Sequence, residues 1–335
     1  MKKSQIDLKF HRGGLEVQKE QLYDPNEDLL SQRDAHADKL VEVGEIYPEL
    51  VVLDADLSNV GKTFVFKIQY PDRHIQVGIA EQNMIGIAAG LAKFGKIPIA
   101  HSLAVFLVGR SYDQIRESIC YSELNVKIVG WHAGVTLGPD GATHQTMEDI
   151  ALMCSLPNMC VLSPADAQQV RDLLPQLIEV DSAVYLRLLF PKIPKTISPG
   201  TTELGKIQIL REGNDITLVA TGQMVYKTLQ AADILEKKGI SSEVLNVHTI
   251  KPIDTTTLLK SFKKTGKGIV IEEHNIYGGL GSIVATILAK ECPSFLDFMN
   301  TNDQFGDTGQ PEDLLTKFGL QPDIIAKKTM SLLNT

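Results

Sequence analysis

The chain has 335 residues, of which 43% are hydrophobic and 22% charged, a composition typical of a folded globular protein rather than a disordered or collagen-like one. At roughly 100–200 residues per domain, this length predicts two domains. Asp and Glu outnumber Lys and Arg by 41 to 33, and the net charge of −8 disfavours nucleic acid and anionic membranes as partners. An anionic substrate would therefore need a local basic pocket.

The cysteine spacing and the N-terminal sequence predict where the protein works. Its four cysteines form no metal-binding pattern, and no apolar run is long enough to span a membrane. The first residues, MKKSQIDLKFHRGG, place charges where a signal peptide needs an apolar stretch. We expect a cytoplasmic protein with reduced thiols and no metal site of its own.

Hydrophobic periodicity predicts an N-terminal arm and then a first α/β domain. Residues 1–34 are assigned to the arm, although a helical pattern already begins at Leu29 and runs to Tyr47. Over residues 35–192, short apolar runs alternate with helix-length segments, as in a parallel sheet covered on both faces. The expected strands are 50–55, 75–79, 97–101, 126–131, 159–163 and 183–188.

A second α/β domain is predicted after a linker. The linker, residues 193–207, is rich in proline and glycine and breaks the periodicity. Residues 208–335 then resume the alternation. The expected strands are 216–220, 242–247 and 268–273, with helices near 224–238 and 280–291.

Polar residues follow the predicted strands of the first domain, at the edge where parallel sheets bind ligands. They are Asp54, Asp56, Glu81, His101, His132 and Arg187. Strand ends favour polar residues in any α/β protein, so a structural role stays open for these. The glycine-rich loop HAGVTLGPDGATHQTMED favours a functional site, because it carries His132, Asp140 and His144. Histidines can move protons near neutral pH, and an acid can orient a hydroxyl group.

Glu81 opens an almost uniformly apolar segment, EQNMIGIAAGLAKFG, which predicts a helix buried on all sides. Small residues at Gly86, Ala89 and Gly90 would let this helix pack closely at a subunit interface. The Glu81 carboxylate would either complement the helix dipole or share a proton with a ligand nitrogen. Phe106 would be an ordinary core residue or would stack on a flat heterocycle.

Several segments together closely resemble the carboxyl-terminal half of transketolase. They are VGIAEQNMIGIAAGLA, FLVGRSYDQIR, GPDGATHQTMEDIALMCSLPNMCVLSPAD and, at 272–282, EEHNIYGGLGS. The resemblance covers about residues 35–335 and implies a parallel-sheet domain that binds the pyrimidine of thiamine diphosphate, followed by a transketolase C-terminal α/β domain. Since 335 residues cannot also contain the family's amino-terminal domain, the chain is most similar to a split, two-chain transketolase.

The resemblance also implies roles in cofactor activation. Glu81 would hold N1′ of the aminopyrimidine and so promote the imino form that takes the proton from C2 of the thiazolium ring. Phe106 would stack on the pyrimidine ring, with less aromatic support than usual because Leu103 and Gly109 stand at neighbouring positions.

Substrate contacts are implied in the same way. Asp140 and His144 would contact the hydroxyl and carbonyl region of the donor sugar, with His144 also acting in catalysis. His132 and Arg187 would bind its terminal phosphate. Ser58 is a further candidate for phosphate binding, in a loop, ADLSNVGK, that is shorter than the family's usual one.

The cofactor's diphosphate and Mg²⁺ are held in this family by a GDG motif, which this sequence lacks. The resemblance therefore implies a separate amino-terminal subunit, an α2β2 heterotetramer and no activity for this chain alone. The expected reaction is transfer of a two-carbon ketol unit from a ketose phosphate to an aldose or aldose phosphate. The pentose phosphate route and the breakdown of less common sugars both fit, and a sulfonate would suit His132 and Arg187 nearly as well as a phosphate.

Three alternatives compete with this interpretation. The β subunit of a thiamine-dependent 2-oxoacid dehydrogenase has the same two domains and glutamate but lacks a histidine matching His144. A 1-deoxyxylulose-phosphate synthase is disfavoured because it is normally one long chain. A non-catalytic α/β scaffold would have no physical reason to keep Glu81, Asp140, His144 and Arg187 at one sheet edge.

Overall fold

The computed structural model describes residues 29–334, and within this range the chain forms two sheets flanked by helices. The amino-terminal half contributes strands β1 Leu50–Asp54, β2 His74–Gln76, β3 Ile97–Leu103, β4 Lys127–Trp131, β5 Met159–Leu162 and β6 Ala183–Arg187. Its helices are α1 Gln32–Ile46, α2 Phe64–Gln69, α3 Glu81–Lys93, α4 Ala104–Arg110, α5 Tyr112–Gln114, α6 Asp149–Cys154 and α7 Ala167–Glu179. Shorter turns are 3₁₀ at Pro71–Arg73 and Val135–Asp140, and π-helical at Ile115–Tyr121.

The carboxyl-terminal half repeats the alternation of strand and helix. Its strands are β7 Gln208–Arg211, β8 Ile216–Ala220, β9 Ser242–Asn246, β10 Thr249–Lys251, β11 Lys267–Ile271 and β12 Phe295–Met299. Its helices are α8 Met224–Glu236, α9 Thr255–Thr265, α10 Leu280–Glu291, α11 Pro311–Lys317 and α12 Pro322–Leu333. The predicted α/β fold class is confirmed.

The order of strands in the first sheet explains how its polar residues come together. Among the described residues the order is β10-β5-β6-β4-β3-β1-β2, and β1 to β6 run parallel. Strands β6, β4, β3 and β1 are therefore consecutive neighbours, and their carboxyl ends meet at one edge. This edge presents the residues that follow each of the four strands.

Each sheet also contains an antiparallel strand that the sequence pattern did not indicate. Strand β10 pairs antiparallel with β5, so a segment from the carboxyl-terminal half completes the first sheet. Strand β7 pairs antiparallel with β9 in the second sheet, whose order is β12-β11-β8-β9-β7. Both strands are only three or four residues long, too short to show a periodic pattern.

Helix α1 forms earlier than the predicted domain boundary at residue 35. Ser31 caps its amino end, because the Ser31 hydroxyl accepts a hydrogen bond from the Asp34 backbone N–H at 3.2 Å. Residues 32–34 are thus helical rather than part of an arm, and the remainder of the predicted arm, 1–28, lies outside the described residues. The exact domain limits 35–192, 193–207 and 208–335 stay a prediction.

The predicted linker is packed against the first domain. Residues 193–207 contain no helix or strand beyond an isolated bridge between Ile193 and Leu30. The Asp166 carboxylate accepts hydrogen bonds from the Thr196 hydroxyl at 2.9 Å and the Ile197 N–H at 2.8 Å. This buried acid anchors the start of the segment.

Within this chain helix α3 is buried on one side, and the predicted packing of its small residues at a subunit interface stays a prediction. Met84, Ile85 and Ala88 are fully enclosed in the core between the sheet and its neighbours. On the opposite side, a Cβ added at Gly86 or Gly90 would meet no atom within 4 Å. The open face carries Gly86 and Gly90, two of the small residues predicted to lie at that interface.

Candidate active site

Glu81 and Arg110 form an ion pair at the carboxyl edge of the first sheet. Glu81 begins helix α3 and its side chain is only 4% exposed, whereas Arg110 ends helix α4 and is 46% exposed. One guanidinium nitrogen, Nη1, donates a hydrogen bond to Glu81 Oε1 at 2.9 Å. The pair lines a cavity of about 520 Å³. The other lining residues are Ile79, Ala80, Gln82 and Asn83.

Phe106 and His144 extend this cluster. The guanidinium carbon of Arg110 lies 4.0 Å from the centre of the Phe106 ring. The His144 ring meets the same phenyl ring edge-on, with 5.2 Å between centroids. Glu81, Phe106 and His144 come from separate segments of the chain. Arg110 contacts both Glu81 and Phe106, and Phe106 contacts His144, so the three predicted site residues form one cluster.

His132 forms a second, basic cluster with Arg33. Arg33 Nη1 lies 3.2 Å from His132 Nε2. The Phe190 and His132 rings pack in a T-shaped arrangement, with 4.8 Å between their centroids. Burial, together with the positive charge of Arg33, lowers the pKa of His132 to about 3. A guanidinium can only donate, so Nε2 must accept and the imidazole proton resides on Nδ1. His132 is therefore a neutral hydrogen-bonding group at neutral pH.

Arg33 was missed in the sequence analysis. Its side chain is half-buried, and within residues 29–334 its buried Nε has no hydrogen-bond partner. A usable signal was present, since Arg33 lies in the first turn of helix α1, where the helix dipole disfavours a positive charge. A cation at a position that the helix dipole disfavours indicates a role other than stabilising the helix.

Arg187 is enclosed by the protein itself and is 1% exposed. Its Nε donates to Asp149 Oδ2 at 2.8 Å and its Nη2 donates to the Glu273 carbonyl oxygen at 2.9 Å. Burial opposes the charged form, but the Asp149 and Glu273 carboxylates outweigh it and raise the pKa of Arg187. These bonds use Nε and Nη2, and the expected contact between Arg187 and a substrate phosphate stays a prediction. The unpartnered donor beside His132 belongs to Arg33.

Asp140 and Ser58 are the remaining residues predicted to contact the substrate. Asp140 is exposed at the end of the turn Val135–Asp140, and the Ser58 hydroxyl accepts a hydrogen bond from Gln76 Nε2 at 3.4 Å. Among the described residues, neither is hydrogen-bonded to a member of the two clusters. Their predicted substrate contacts stay predictions.

The other polar residues at this edge are used within the fold. The buried Asp54 carboxylate accepts a hydrogen bond from the Thr63 hydroxyl at 2.7 Å and so shapes the loop after β1. His101 is fully buried, with its ring centre 5.2 Å from that of Trp131. Asp56 is exposed in the loop. The structural alternative therefore holds for Asp54 and His101.

The second domain holds the start of the loop that carries the site residues. The buried Glu273 carboxylate accepts hydrogen bonds from the Thr136 N–H and hydroxyl, both at 2.7 Å. Its neighbour Glu272 accepts from the Leu280 and Gly281 N–H groups at the start of helix α10, both at 2.8 Å. The EEHN segment thus links the second sheet to the loop.

The end of the same loop also rests on the second domain. Gln145 Nε2 donates to the Val135 carbonyl at 2.9 Å and to the Asp307 carbonyl at 2.8 Å. A Cβ on Gly141, whose φ is +73°, would lie 2.5 Å from the Thr308 hydroxyl oxygen. The tight fit between the loop and residues 303–311 positions His144, three residues after Gly141.

Two family models match the chain along almost its whole described length. The transketolase pyrimidine-binding domain matches residues 29–193, and the transketolase C-terminal domain matches residues 205–325. The chain belongs to the transketolase family. This confirms the resemblance seen in the sequence, and the buried carboxylate beside an aromatic ring is the expected setting for a pyrimidine in such a domain.

Similar proteins are carboxyl-terminal parts of transketolases. A putative transketolase C-terminal section from Methanocaldococcus jannaschii is 42% identical, over 89% of this chain and 95% of that protein. The 6-deoxy-6-sulfo-D-fructose transketolase subunit SqwH of a Clostridium species is 44% identical, over 86% of this chain and 90% of that protein. A solved structure, described as a split gene transketolase in an inactive β4 tetramer, superimposes with a TM-score of 0.84 at 43% identity, covering 92% of this chain and 99% of that one.

Family membership implies thiamine diphosphate dependence and an amino-terminal partner subunit. The residues present fit the pyrimidine half of this cofactor, because Glu81 offers a buried carboxylate and Phe106 an aromatic ring, both in contact with Arg110. In residues 29–334, no group of His, Cys, Asp and Glu is arranged to hold a metal ion. None of the helices in that range has the length and apolar character needed to cross a bilayer.

Proposed function

We propose that this chain is the carboxyl-terminal subunit of a thiamine diphosphate-dependent transketolase that moves a two-carbon ketol unit from a ketose phosphate or sulfonate to an aldose or aldose phosphate. The observation that carries the proposal is the Glu81 cluster, in which a 4%-exposed carboxylate, the Phe106 ring and His144 meet beside a cavity. A carboxylate and an aromatic face are complementary to an aminopyrimidine.

Each residue of the cluster has a defined task in this reaction. When bound, thiamine diphosphate supplies a carbon nucleophile and an electron sink for breaking the bond beside the ketose carbonyl. Glu81 holds a proton at the pyrimidine N1′, and Phe106 fixes the plane of that ring. His144, edge-on to Phe106, exchanges a proton with the oxygen of the sugar carbonyl. Asp140 orients a sugar hydroxyl from the same loop.

Arg33 and His132 bind the anionic end of the sugar. Arg33 brings a permanent charge and an unpartnered Nε–H, and the neutral His132 brings hydrogen bonding without a competing negative charge. A phosphate and a sulfonate present similar oxyanions to such a pair. The name of the clostridial relative, a 6-deoxy-6-sulfo-D-fructose transketolase subunit, supports a sulfonate as readily as a phosphate.

The partner subunit supplies what this sequence lacks. We assign the Mg²⁺ and the cofactor's diphosphate to an amino-terminal transketolase subunit, because the sequence has no GDG motif. The active assembly is an α2β2 heterotetramer in the cytoplasm. The β4 tetramer of the similar split transketolase is described as inactive, which supports a requirement for the second chain.

The test is a ketol-transfer assay on this chain co-expressed with a candidate amino-terminal subunit, with thiamine diphosphate and Mg²⁺. Glu81→Gln is expected to lower kcat by at least about 10²-fold, because proton transfer by a positioned group contributes roughly 10²–10⁴-fold. Glu45→Gln, an exposed carboxylate on helix α1, is the matched control and keeps the full rate. An undiminished rate in Glu81→Gln would overturn the proposal. Turnover of a 2-oxoacid instead of a ketose would indicate the dehydrogenase subunit.

A further inference from the structure

Arg110 alone makes both of the contacts that a pyrimidine ring would make in this cluster. Its Nη1 donates to Glu81 Oε1 at 2.9 Å, and its guanidinium carbon lies 4.0 Å from the centre of the Phe106 ring. A guanidinium resembles an aminopyrimidine in being flat and in carrying N–H donors at its edge. Arg110 therefore competes with the ring for Glu81 Oε1 and for the face of Phe106 that it covers.

We propose that Arg110 is a placeholder, which holds the pyrimidine seat formed by Glu81 and Phe106 and moves out when the cofactor enters. This inference rests on the proposed function. It assigns Arg110 a positioning role: the side chain keeps Glu81 paired and correctly placed until the ring takes over the contact.

The need for a placeholder follows from the burial of Glu81. A carboxylate that is 4% exposed is costly without a partner, because neither water nor a cation compensates its charge. Arg110 provides that charge and also covers the face of Phe106 by a cation–π contact. The seat is thereby kept in a form that accepts a hydrogen-bond donor.

The surroundings of Arg110 allow its side chain to leave without disturbing the helix. The Arg110 backbone is fixed, since its carbonyl oxygen accepts a hydrogen bond from Gln82 Nε2 at 2.9 Å. Its side chain is 46% exposed and borders the cavity of about 520 Å³. Rotation of a few side-chain bonds would therefore carry the guanidinium into solvent while helices α3 and α4 stay in place.

A placeholder weakens cofactor binding, because the cofactor binds only to the fraction of molecules whose seat is open. Removing the placeholder should therefore tighten binding. The opposite is expected if Arg110 is itself a ligand of the cofactor or of the sugar. The two possibilities predict effects of opposite sign on the same dissociation constant.

The experiment measures thiamine diphosphate binding by titration calorimetry, with Mg²⁺, on the complex of this chain with its amino-terminal subunit. Arg110→Ala is expected to lower the cofactor Kd about tenfold. Arg116→Ala is the matched control, because Arg116 is exposed nearby and paired with Glu117, and its Kd stays at the wild-type value. Arg110→Met, which keeps the apolar stem, gives the same direction if the alanine variant folds poorly.

Thermal unfolding supplies an independent readout. Without cofactor, Arg110→Ala should melt below the wild type because Glu81 loses its partner, and saturating thiamine diphosphate should raise its Tm by more than it raises that of the wild type.

An unchanged or weaker affinity for the cofactor in both Arg110 variants would overturn the inference. If the wild-type complex still binds the cofactor in that case, the proposed function stays intact. A crystal structure of the loaded complex with Arg110 still on Glu81 would also overturn the inference. If the wild-type complex binds no thiamine diphosphate at all, the proposed function itself fails.

Discussion

Two groups of charged residues lie at the carboxyl edge of the first sheet, and they differ in how the protein surrounds them. In the closed group, Arg187 is bonded to Asp149 and to the Glu273 carbonyl, and the Tyr185 hydroxyl donates to the same Asp149 oxygen at 2.8 Å. Arg187, Tyr185 and Asp149 are all at most 1% exposed. The second domain contributes the Glu273 carbonyl to this group.

The open group consists of the Glu81–Arg110 pair and the Arg33–His132 pair. Here Arg110 is 46% exposed, and Arg33 keeps a donor without a partner. The same residue types therefore serve two purposes at one sheet edge. Two nitrogens of Arg187 donate to protein acceptors, whereas Arg33 keeps a buried Nε–H that no described residue accepts and that a ligand oxygen beside His132 could accept.

The largest expected effect concerns the closed group. Arg187→Ala should lower the free energy of unfolding by about 3–5 kcal/mol, because it leaves the buried Asp149 carboxylate without its cation. Urea unfolding of the full chain measures this change. Arg171→Ala is a suitable control, since that arginine is exposed in its ion pair with Asp38 and should cost under about 1 kcal/mol. An Arg187→Ala variant of normal stability that binds the sugar phosphate weakly would instead return Arg187 to the substrate site.

Much of the fold could be predicted from the sequence because its strands are long enough to show their period. Strand β8 lies at 216–220 as predicted, and β4 and β9 differ from the predictions by one residue each. Strands β7, β10 and β12 were missed: β7 and β10 have only four and three residues, and Asp297 interrupts the apolar run of β12.

The site was predictable in its residue types and only partly in its geometry. Glu81, Phe106 and His144 do meet, as motifs at neighbouring strand ends suggest. Arg187 looked equivalent to them because its strand-end position is visible in the sequence, while its acceptors are not: Asp149 is 38 residues away and the Glu273 carbonyl 86. Arg33 was missed because its contact with His132 spans 99 residues.

The second prediction concerns the open group and concentrates on substrate binding. Arg33→Ala should raise KM for a phosphorylated or sulfonated ketose about 10–30-fold, corresponding to about 1.4–2 kcal/mol, with a small change in kcat. KM for an uncharged ketose should stay nearly constant, because Arg33 contacts only the anionic end. Steady-state kinetics on the assembled enzyme with both donors measures the difference.

Two controls define this experiment. Ser58→Ala removes a hydroxyl whose hydrogen bond to Gln76 is long, so we expect less than about a threefold change in KM. Arg171→Ala removes an exposed arginine far along the chain and should leave KM unaltered. Equal increases in KM for charged and uncharged donors in Arg33→Ala would mean that Arg33 shapes the site without binding the anion.

The third prediction concerns how the free energy of unfolding depends on pH. This dependence distinguishes buried neutral histidines from the paired charges of the closed group. Burial lowers the pKa of His36 to about 4 and that of His248 to about 3, and burial with Arg33 lowers that of His132 to about 3. In the unfolded chain each would titrate near 6.5. Below pH 6.5 the unfolded state therefore binds protons that the folded state does not, and stability falls as the pH decreases.

The size of this loss can be tested one histidine at a time. Each contributes up to about 1.4 kcal/mol of destabilisation per pH unit between pH 6.5 and its folded pKa, and nothing further above pH 6.5. Urea unfolding should therefore show a free energy of unfolding that falls from pH 7 to pH 5. His248→Gln should reduce this slope by the equivalent of about one bound proton, or about 1.4 kcal/mol per pH unit. Arg33→Ala should raise the pKa of His132 only in part, because burial is the larger cause of its low value and the Arg33 charge the smaller one. The slope is therefore expected to stay the same between pH 7 and pH 5 and to flatten only toward pH 3, where urea unfolding should also be measured. A slope that Arg33→Ala leaves unchanged at this lower pH would show that burial alone keeps His132 neutral.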